Sequence, residues 1–204
     1  DYRSDITGHP DSVKIRRKQL NTRVSDVRFV LDKLSEINFP SMFDGLLDLD
    51  RIGVLGHSYG GATAIQVSYE DVRVRSCLVL DSWMNPLPNY ILKTGINQPF
   101  LSLGRPNWND SNYPSSSVLI KLFMSTFTEH SYSFTLKDSR HLDFCDVPLF
   151  SFFSDWFVET GPIPAKKAVS ITNNVSLLFF NRYLKGKRSG FPGLLAIEPY
   201  LTLR

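Results

Sequence analysis

Apolar side chains recur along the first part of the chain with the spacing of one helical face. The positions are three or four residues apart, and they are Leu20, Val24, Val27, Leu31 and Leu34. This spacing is typical of an amphipathic helix with one buried stripe. A proline at position 40 blocks continuation of the helix. The sequence therefore predicts one long helix over residues 12–37 that lies on a sheet.

Short apolar or alternating runs follow and predict strands. We expect these strands at about 51–55, 76–80, 99–103 and 132–136. Runs that are apolar throughout are typical of parallel strands covered on both faces. Helical or loop segments separate them, which predicts a mostly parallel, doubly wound α/β sheet. The length of 204 residues suits one domain or most of one.

A glycine-rich turn links the first predicted strand to a helix that begins with small residues. Residues 56–61 read GHSYGG, and residues 62–64 read ATA. A serine hydroxyl is a weak nucleophile, so it needs an exposed position beside a base and backbone N–H donors. A sharp strand-to-helix turn with small flanking residues provides that position. The pattern predicts Ser58 as a catalytic nucleophile, and the alternative is a glycine-rich turn with a buried hydroxyl.

A serine nucleophile of this kind requires a carboxylate and a histidine downstream, each at the C-terminal end of a strand. Asp81 directly follows the apolar run 77–80. His141 follows the alternating run 132–136 and a polar turn. We therefore expect His141 to be the general base for Ser58, with Asp81 stabilising the imidazolium.

Other histidines and acids compete for these roles. His57 adjoins the serine, but neighbouring side chains diverge at such a turn, so packing or hydrogen bonding is its expected role. Asp143 and Asp146 are close to the predicted base in sequence. A triad acid comes from a different strand end, so Asp81 is preferred to both. A helix cap or turn role is the remaining alternative for Asp81.

Two segments of the chain carry a more specific pattern than the serine turn alone. Residues 50–63 read DRIGVLGHSYGGAT, and residues 80–87 read LDSWMNPL. Together they resemble the platelet-activating-factor acetylhydrolases, which are calcium-independent phospholipases of the α/β-hydrolase fold. The likeness continues through residues 112–114, 141–144 and 174–180, so it covers most of the chain. The Asp-x-Trp-Met segment makes the resemblance more specific than the turn alone.

The resemblance implies a serine esterase that cleaves the sn-2 acetyl, or short or oxidised acyl, ester of platelet-activating factor and related phospholipids. It implies Ser58 as nucleophile, Asp81 as acid and His141 as base. It also places one oxyanion-hole donor at the backbone N–H of Tyr59, where the family usually has phenylalanine. The alternatives are a hydrolase of other small esters, and a catalytically inactive lipid-binding fragment.

One departure from the family concerns the N-terminal region. Family members carry an upstream half with several strands and a His-Gly-type loop that gives a second oxyanion donor. Nothing in residues 1–50 matches it. We therefore expect residues 1–204 to be the C-terminal part of a single α/β-hydrolase domain that lacks its N-terminal strands.

Charge and cysteine content narrow the choice of partners. The net charge is +3 and the pI is near 8.9, and no basic stretch carries spaced aromatics, so we expect no nucleic-acid partner. Cys77 and Cys145 form no disulfide framework. Because no cluster has metal-ligand spacing and no phosphate loop occurs, we expect no metal and no cofactor. The sequence leaves open a secreted protein or a cytoplasmic one that associates with membranes.

An apolar stripe follows the predicted base. Its members fall on one helical face and are Leu149, Phe152, Phe153, Trp156 and Phe157. Packing on the sheet is the usual role of such a stripe. The alternative is a face that meets a membrane or lipoprotein surface, because Trp and Phe favour the headgroup boundary. Residues 118–127 present the same choice.

Overall fold

The computed structural model describes residues 9–38, 43, 45–106, 113–150, 159–187 and 193–203. The strands in this part are β1 (Ile52–His57), β2 (Val74–Leu80), β3 (Phe100–Gly104), β4 (Ser131–Leu136) and β5 (Leu201–Leu203). The helices are α1 (Ser12–Ile37), α2 (Tyr59–Glu70), α3 (Asn89–Thr94), α4 (Ser116–Met124), α5 (Ala165–Lys185) and α6 (Gly193–Ala196). Short 3-10 turns at His141–Phe144 and Val147–Leu149 lie between β4 and α5.

The strands form one sheet in the order of the sequence, β1 to β5. The first four are parallel, and β5 pairs with β4 in the antiparallel direction. Helices α2, α3 and α4 connect successive parallel strands. The four predicted strands lie within two residues of β1 to β4. The short strand β5 is absent from the sequence prediction, because only its first residue is buried and it carries no alternating pattern.

Two hydrophobic cores cover the two faces of the sheet. In β2, Cys77 and Val79 join a core with α1 to α4. The alternate residues Leu78 and Leu80 join a second core with α5. This alternation follows from the period of two in a strand, and burial on both faces explains the continuous apolar run. The prediction of a mostly parallel, doubly wound sheet is confirmed.

Helix α1 has the bounds that the apolar spacing predicted. Leu20, Val24 and Leu31 are buried, while Val27 and Leu34 are partly buried against the same core. The principal helical partner of α1 is α2, so the long helix forms an outer layer over the helix that follows Ser58.

The outer edge of β1 has no paired strand among the described residues. A cavity of about 1270 Å³ lies beside this edge, lined by residues of β1, α1 and α2. Leu55, in the middle of β1, is 47% exposed. An open apolar edge offers unpaired N–H and C=O groups to other chains.

We expect the 204-residue chain, expressed alone, to be poorly soluble because of this edge. Leu55→Lys should raise the soluble fraction, since a charge on an edge strand opposes pairing between copies. Val72→Lys is the control, because Val72 is also an exposed apolar residue, at 82%, but lies outside the edge strand. The measurement is the fraction in the supernatant after ultracentrifugation. A soluble, monomeric parent chain would contradict the prediction.

Candidate active site

Ser58 occupies a strained backbone position between β1 and α2. Its φ of 57° and ψ of −120° lie in a region that residues with a side chain rarely adopt. The Ser58 N–H donates to the Leu80 carbonyl at 2.9 Å, and the Trp83 N–H donates to the Ser58 carbonyl at 3.0 Å. These bonds tie the turn to the end of β2 and hold the serine rigidly at the C-terminal edge of the sheet.

His141 lies between Ser58 and Asp81. Its Nε2 is 2.9 Å from Ser58 Oγ, and its Nδ1 is 2.6 Å from Asp81 Oδ2. A carboxylate only accepts hydrogen bonds, so the proton of the neutral ring sits on Nδ1 and Nε2 is left to accept from the serine hydroxyl. The three side chains selected from the sequence therefore form one continuous hydrogen-bonded chain.

Asp81 is fully buried and is held from several sides. Its φ of 40° turns the chain at the end of β2, and its side chain is 0% exposed. Asp81 Oδ1 accepts the backbone N–H of Arg105 at 3.1 Å, and the Arg105 Nε lies 3.3 Å from Oδ2. A buried carboxylate needs such partners because removing its charge from water is costly. No helix begins at Asp81, so it is not a helix cap, whereas the turn at this residue is present beside the contacts of its carboxylate.

Arg105 belongs to the site although the sequence patterns did not point to it. This arginine follows β3 directly, and its side chain is only 8% exposed. The available signal was its position, since the residue after an apolar parallel strand lies at the same sheet edge as Asp81 and His141. A buried cation beside a buried carboxylate holds that carboxylate in one orientation.

Tyr59 begins α2, so its backbone N–H has no acceptor within the helix. Its side chain turns towards α1. The Tyr59 hydroxyl donates to the Arg16 carbonyl, and the Arg23 guanidinium lies 4.7 Å from the centre of the ring. The Trp83 ring is 5.4 Å away on another side. Burial raises the pKa of the Tyr59 phenol. This side chain anchors the serine turn to α1, and the oxyanion role of the Tyr59 main-chain N–H stays a prediction.

Residues 4–190 match the model of the family described as platelet-activating factor acetylhydrolase, isoform II. The chain belongs to this family. The acetylhydrolase of Gallus gallus is 29% identical over 178 residues, covering 85% of this chain and 41% of that protein. The acetylhydrolase of Bos taurus is 30% identical over 168 residues, covering 80% of this chain and 34% of that protein. The chain spans less than half the length of these relatives.

A solved structure gives the same fold. A ferulic acid esterase from Streptomyces cinnamoneus superposes with a TM-score of 0.75 at 28% sequence identity. The match covers 100% of this chain and 57% of the esterase. The predicted α/β-hydrolase fold is confirmed, and so is the predicted resemblance to the acetylhydrolase family.

Two other acids, Asp143 and Asp146, competed with Asp81 in the sequence of this acetylhydrolase-family member. In the contacts of the described residues, neither hydrogen bonds to a ring nitrogen of His141 as Asp81 does. Asp143 is buried, and its Oδ2 accepts the backbone N–H groups of Arg140 and Gly161, both at 2.7 Å. These bonds close the turn that carries His141. Asp146 is exposed. The sequence preference for Asp81 therefore agrees with the geometry, and Asp143 has a structural contact that its spacing did not predict.

The rival base His57 is half-buried beside His141. Its Nε2 lies 3.0 Å from the His141 backbone carbonyl. Burial is the largest cause that lowers the pKa of His57, and the neighbouring His141 lowers it further. His57 therefore makes a hydrogen bond to the backbone of His141, in line with the hydrogen-bonding role expected from the sequence.

The predicted interfacial residues Phe152, Phe153 and Trp156 lie outside the described part of the chain, so their role stays a prediction. Leu149 and Phe150, just before them, are 44% and 79% exposed. The other apolar stretch, residues 118–127, lies largely on α4 and has a buried side and an exposed side. Its buried member, Phe123, packs edge-on to Phe100 at 5.1 Å, whereas its exposed members are Val118 and Leu122.

The described residues hold neither a metal-binding cluster nor a membrane span. Across them, no group of three or more His, Cys, Asp or Glu side chains could hold a metal ion. The described helices include none that is long and apolar enough to cross a membrane. Burial raises the pKa of the Cys77 thiol to about 12, so this cysteine stays a neutral core residue. The absence of a cofactor stays a prediction.

The glycines of the serine turn differ in what they permit. A Cβ at Gly56 would lie 2.0 Å from the Gly60 carbonyl oxygen. A Cβ at Gly61 would lie 2.5 Å from Ser82 Oγ. A Cβ at Gly60 meets no described atom within 4 Å. Close approach therefore requires glycine at positions 56 and 61, but not at position 60.

We expect Gly56→Ala to disrupt the serine turn and Gly60→Ala to be tolerated. The first adds a methyl group against backbone, where nothing flexible can move aside. The second adds one in open space within α2 and removes the entropy cost of a helical glycine, a gain of about 0.4–1 kcal/mol. Thermal unfolding and the rate of Ser58 labelling by a fluorophosphonate measure both effects. Equal losses in the two variants would mean that close approach at Gly56 does not control the turn.

Proposed function

We propose that the protein is a serine esterase that hydrolyses the sn-2 acetyl, or short or oxidised acyl, ester of platelet-activating factor and related phospholipids. The observation that carries the proposal is the hydrogen-bonded chain Ser58, His141 and Asp81 at the C-terminal edge of a hydrolase sheet. Family membership supports the substrate class.

Acylation begins with attack of Ser58 Oγ on the ester carbonyl carbon. His141 Nε2 takes the hydroxyl proton, and the buried Asp81 carboxylate stabilises the imidazolium that forms. The carbonyl oxygen becomes an oxyanion that accepts from the Tyr59 N–H at the positive end of α2. The intermediate then expels the glycerol oxygen, which receives the proton from His141, and leaves an acetyl or short-chain acyl group on Ser58.

Deacylation uses the same groups, with water as the nucleophile and the Ser58 oxygen as the leaving group. A water molecule donates its proton to His141 Nε2 and attacks the acyl carbon. Collapse of the second tetrahedral intermediate returns the proton to Ser58 Oγ and releases the carboxylic acid. His141 therefore carries the proton in both acylation and deacylation.

A second candidate is a hydrolase of other small esters, and the likeness to a ferulic acid esterase favours it. Both candidates use the same serine chemistry and differ in the acyl group accepted. A series of phosphatidylcholines with sn-2 chains of increasing length, compared with feruloyl esters, separates them. Highest kcat/KM for the acetyl phospholipid, with a steep fall as the chain lengthens, supports the acetylhydrolase.

We expect Ser58→Ala to abolish ester hydrolysis in the protein at its full natural length. His141→Ala should cost nearly as much, about 10³-fold or more, because the groups act as one unit. Asp81→Asn should lower kcat by about 10⁴-fold, since the amide imposes the wrong tautomer on the base. Asp143→Asn is the matched control and should keep most of the activity, because its side-chain oxygen still accepts the two backbone N–H groups.

A fluorophosphonate that labels Ser58, located by mass spectrometry, distinguishes an esterase from an inactive lipid-binding protein. Circular dichroism shows whether each variant keeps its fold. Near-normal turnover in Ser58→Ala or His141→Ala would contradict the proposed mechanism. A loss in Asp143→Asn equal to that in Asp81→Asn would mean that the acid is misassigned.

We also propose that the turn after His141 meets the phospholipid surface of a membrane or lipoprotein. Leu149 and Phe150 are exposed at the 3-10 turn that follows the one carrying His141. In the sequence, the predicted stripe Phe152, Phe153 and Trp156 comes directly after them. An apolar surface beside the site brings a hydrolase to aggregated substrate, because aromatic side chains enter the headgroup boundary.

Phe150→Ser should weaken binding to phosphatidylcholine vesicles without lowering the melting temperature, because the side chain is 79% exposed. Leu46→Ser is the matched control. Leu46 is 81% exposed but precedes β1, at the opposite end of the strands from the site. Vesicle co-sedimentation measures both. Equal binding by the parent protein and Phe150→Ser would contradict the interfacial proposal, as would an equal loss in Leu46→Ser.

A further inference from the structure

His57 has no part in the proposed reaction, yet its ring lies against the base. It directly precedes Ser58 at the end of β1. We propose that His57 is a positioning residue that fixes the backbone of His141 relative to the serine turn. This inference rests on the proposed function, because it assigns a role in aligning the same nucleophile and base.

The hydrogen bond between the two histidines has a defined direction. His57 Nε2 is 3.0 Å from the backbone carbonyl oxygen of His141. A carbonyl only accepts, so His57 carries its proton on Nε2 and donates. His141 is therefore held at three points, its two ring nitrogens by Ser58 and Asp81 and its main chain by His57.

The place of His141 in the fold explains why a third point matters. The base sits on a 3-10 turn, His141–Phe144, after a polar loop rather than on a long helix or strand. The donor comes from β1, the strand that also leads into the nucleophile. One hydrogen bond thus links the two segments whose separation sets the 2.9 Å distance from Nε2 to Ser58 Oγ.

Ring packing reinforces the link. The His57 ring centre is 4.6 Å from that of His141 and 6.3 Å from that of Phe144, a residue of the α5 core. Burial and the nearby His141 lower the pKa of His57, so its ring stays neutral at neutral pH. A neutral ring can donate without adding a positive charge beside the imidazolium that forms on His141.

The test replaces the ring and the donor separately in the protein at its full natural length. His57→Phe keeps a ring for packing and removes the donor, and we expect kcat to fall about 10-fold to 100-fold with KM little changed, as a small misplacement of the base costs rate. His57→Gln keeps an N–H at a similar reach, and we expect it to recover most of that loss. Melting temperatures show whether each variant folds.

A double-mutant cycle separates positioning from packing. His57→Phe made in the His141→Ala protein should cause no further loss of rate, because a residue that acts through the base has nothing left to position. A further loss of the full size in that background would overturn the proposal. So would a wild-type kcat in His57→Phe, or a folded His57→Gln as impaired as His57→Phe.

Labelling of the serine distinguishes failure of this inference from failure of the proposed function. If a fluorophosphonate does not label Ser58 in the unaltered protein, the esterase proposal fails and the positioning role fails with it. If Ser58 is labelled at the same rate in the unaltered protein and in the His57→Phe variant, the esterase proposal stands and only the positioning role is overturned.

Discussion

A fully buried carboxylate at position 81 constrains the whole C-terminal edge of the sheet. Its charge has to be compensated within the protein, because an unpaired buried anion costs several kcal/mol. The compensation comes from the backbone and guanidinium of Arg105 after β3 and from the His141 ring after β4. These groups come from segments that follow three neighbouring strands at one edge of the sheet, and they hold the His141 ring between Asp81 and Ser58.

The serine turn meets a second requirement, close approach. β1 and α2 can join in one sharp turn only because Gly56 faces the Gly60 carbonyl and Gly61 faces the Ser82 side chain. The same turn places the first N–H groups of α2 next to Ser58. Steric fit and catalytic geometry thus depend on the same few backbone atoms.

The local parts of this arrangement could be predicted from the sequence. Apolar spacing indicated the bounds of α1, and the small residues around Ser58 predicted a turn between a strand and a helix. Strand ends selected Asp81 and His141, because parallel strands present their C-terminal ends to one edge. Contacts that depend on the packed fold could not be predicted in this way. Arg105 reaches Asp81 across 24 positions, and His57 reaches the His141 carbonyl across 84.

Short elements without a pattern were also beyond prediction. β5 has three residues and depends on pairing with β4, so its conformation is imposed by a distant partner and not by its own sequence. Asp143 shows the same principle. Its spacing from His141 suggested a rival acid, whereas its carboxylate caps the backbone of Arg140 and Gly161.

At Ser58, the backbone angles lower the stability of the fold, while the proposed activity depends on the side chain. A φ of 57° with a ψ of −120° is strained for serine and relaxed for glycine, which has no Cβ. By this strain, the serine makes the fold less stable than a version of the chain with glycine there. The proposed ester hydrolysis requires a side chain at this position, whereas stability alone would favour glycine. A relative that had lost its activity would be free to settle into the more stable form by changing this single residue.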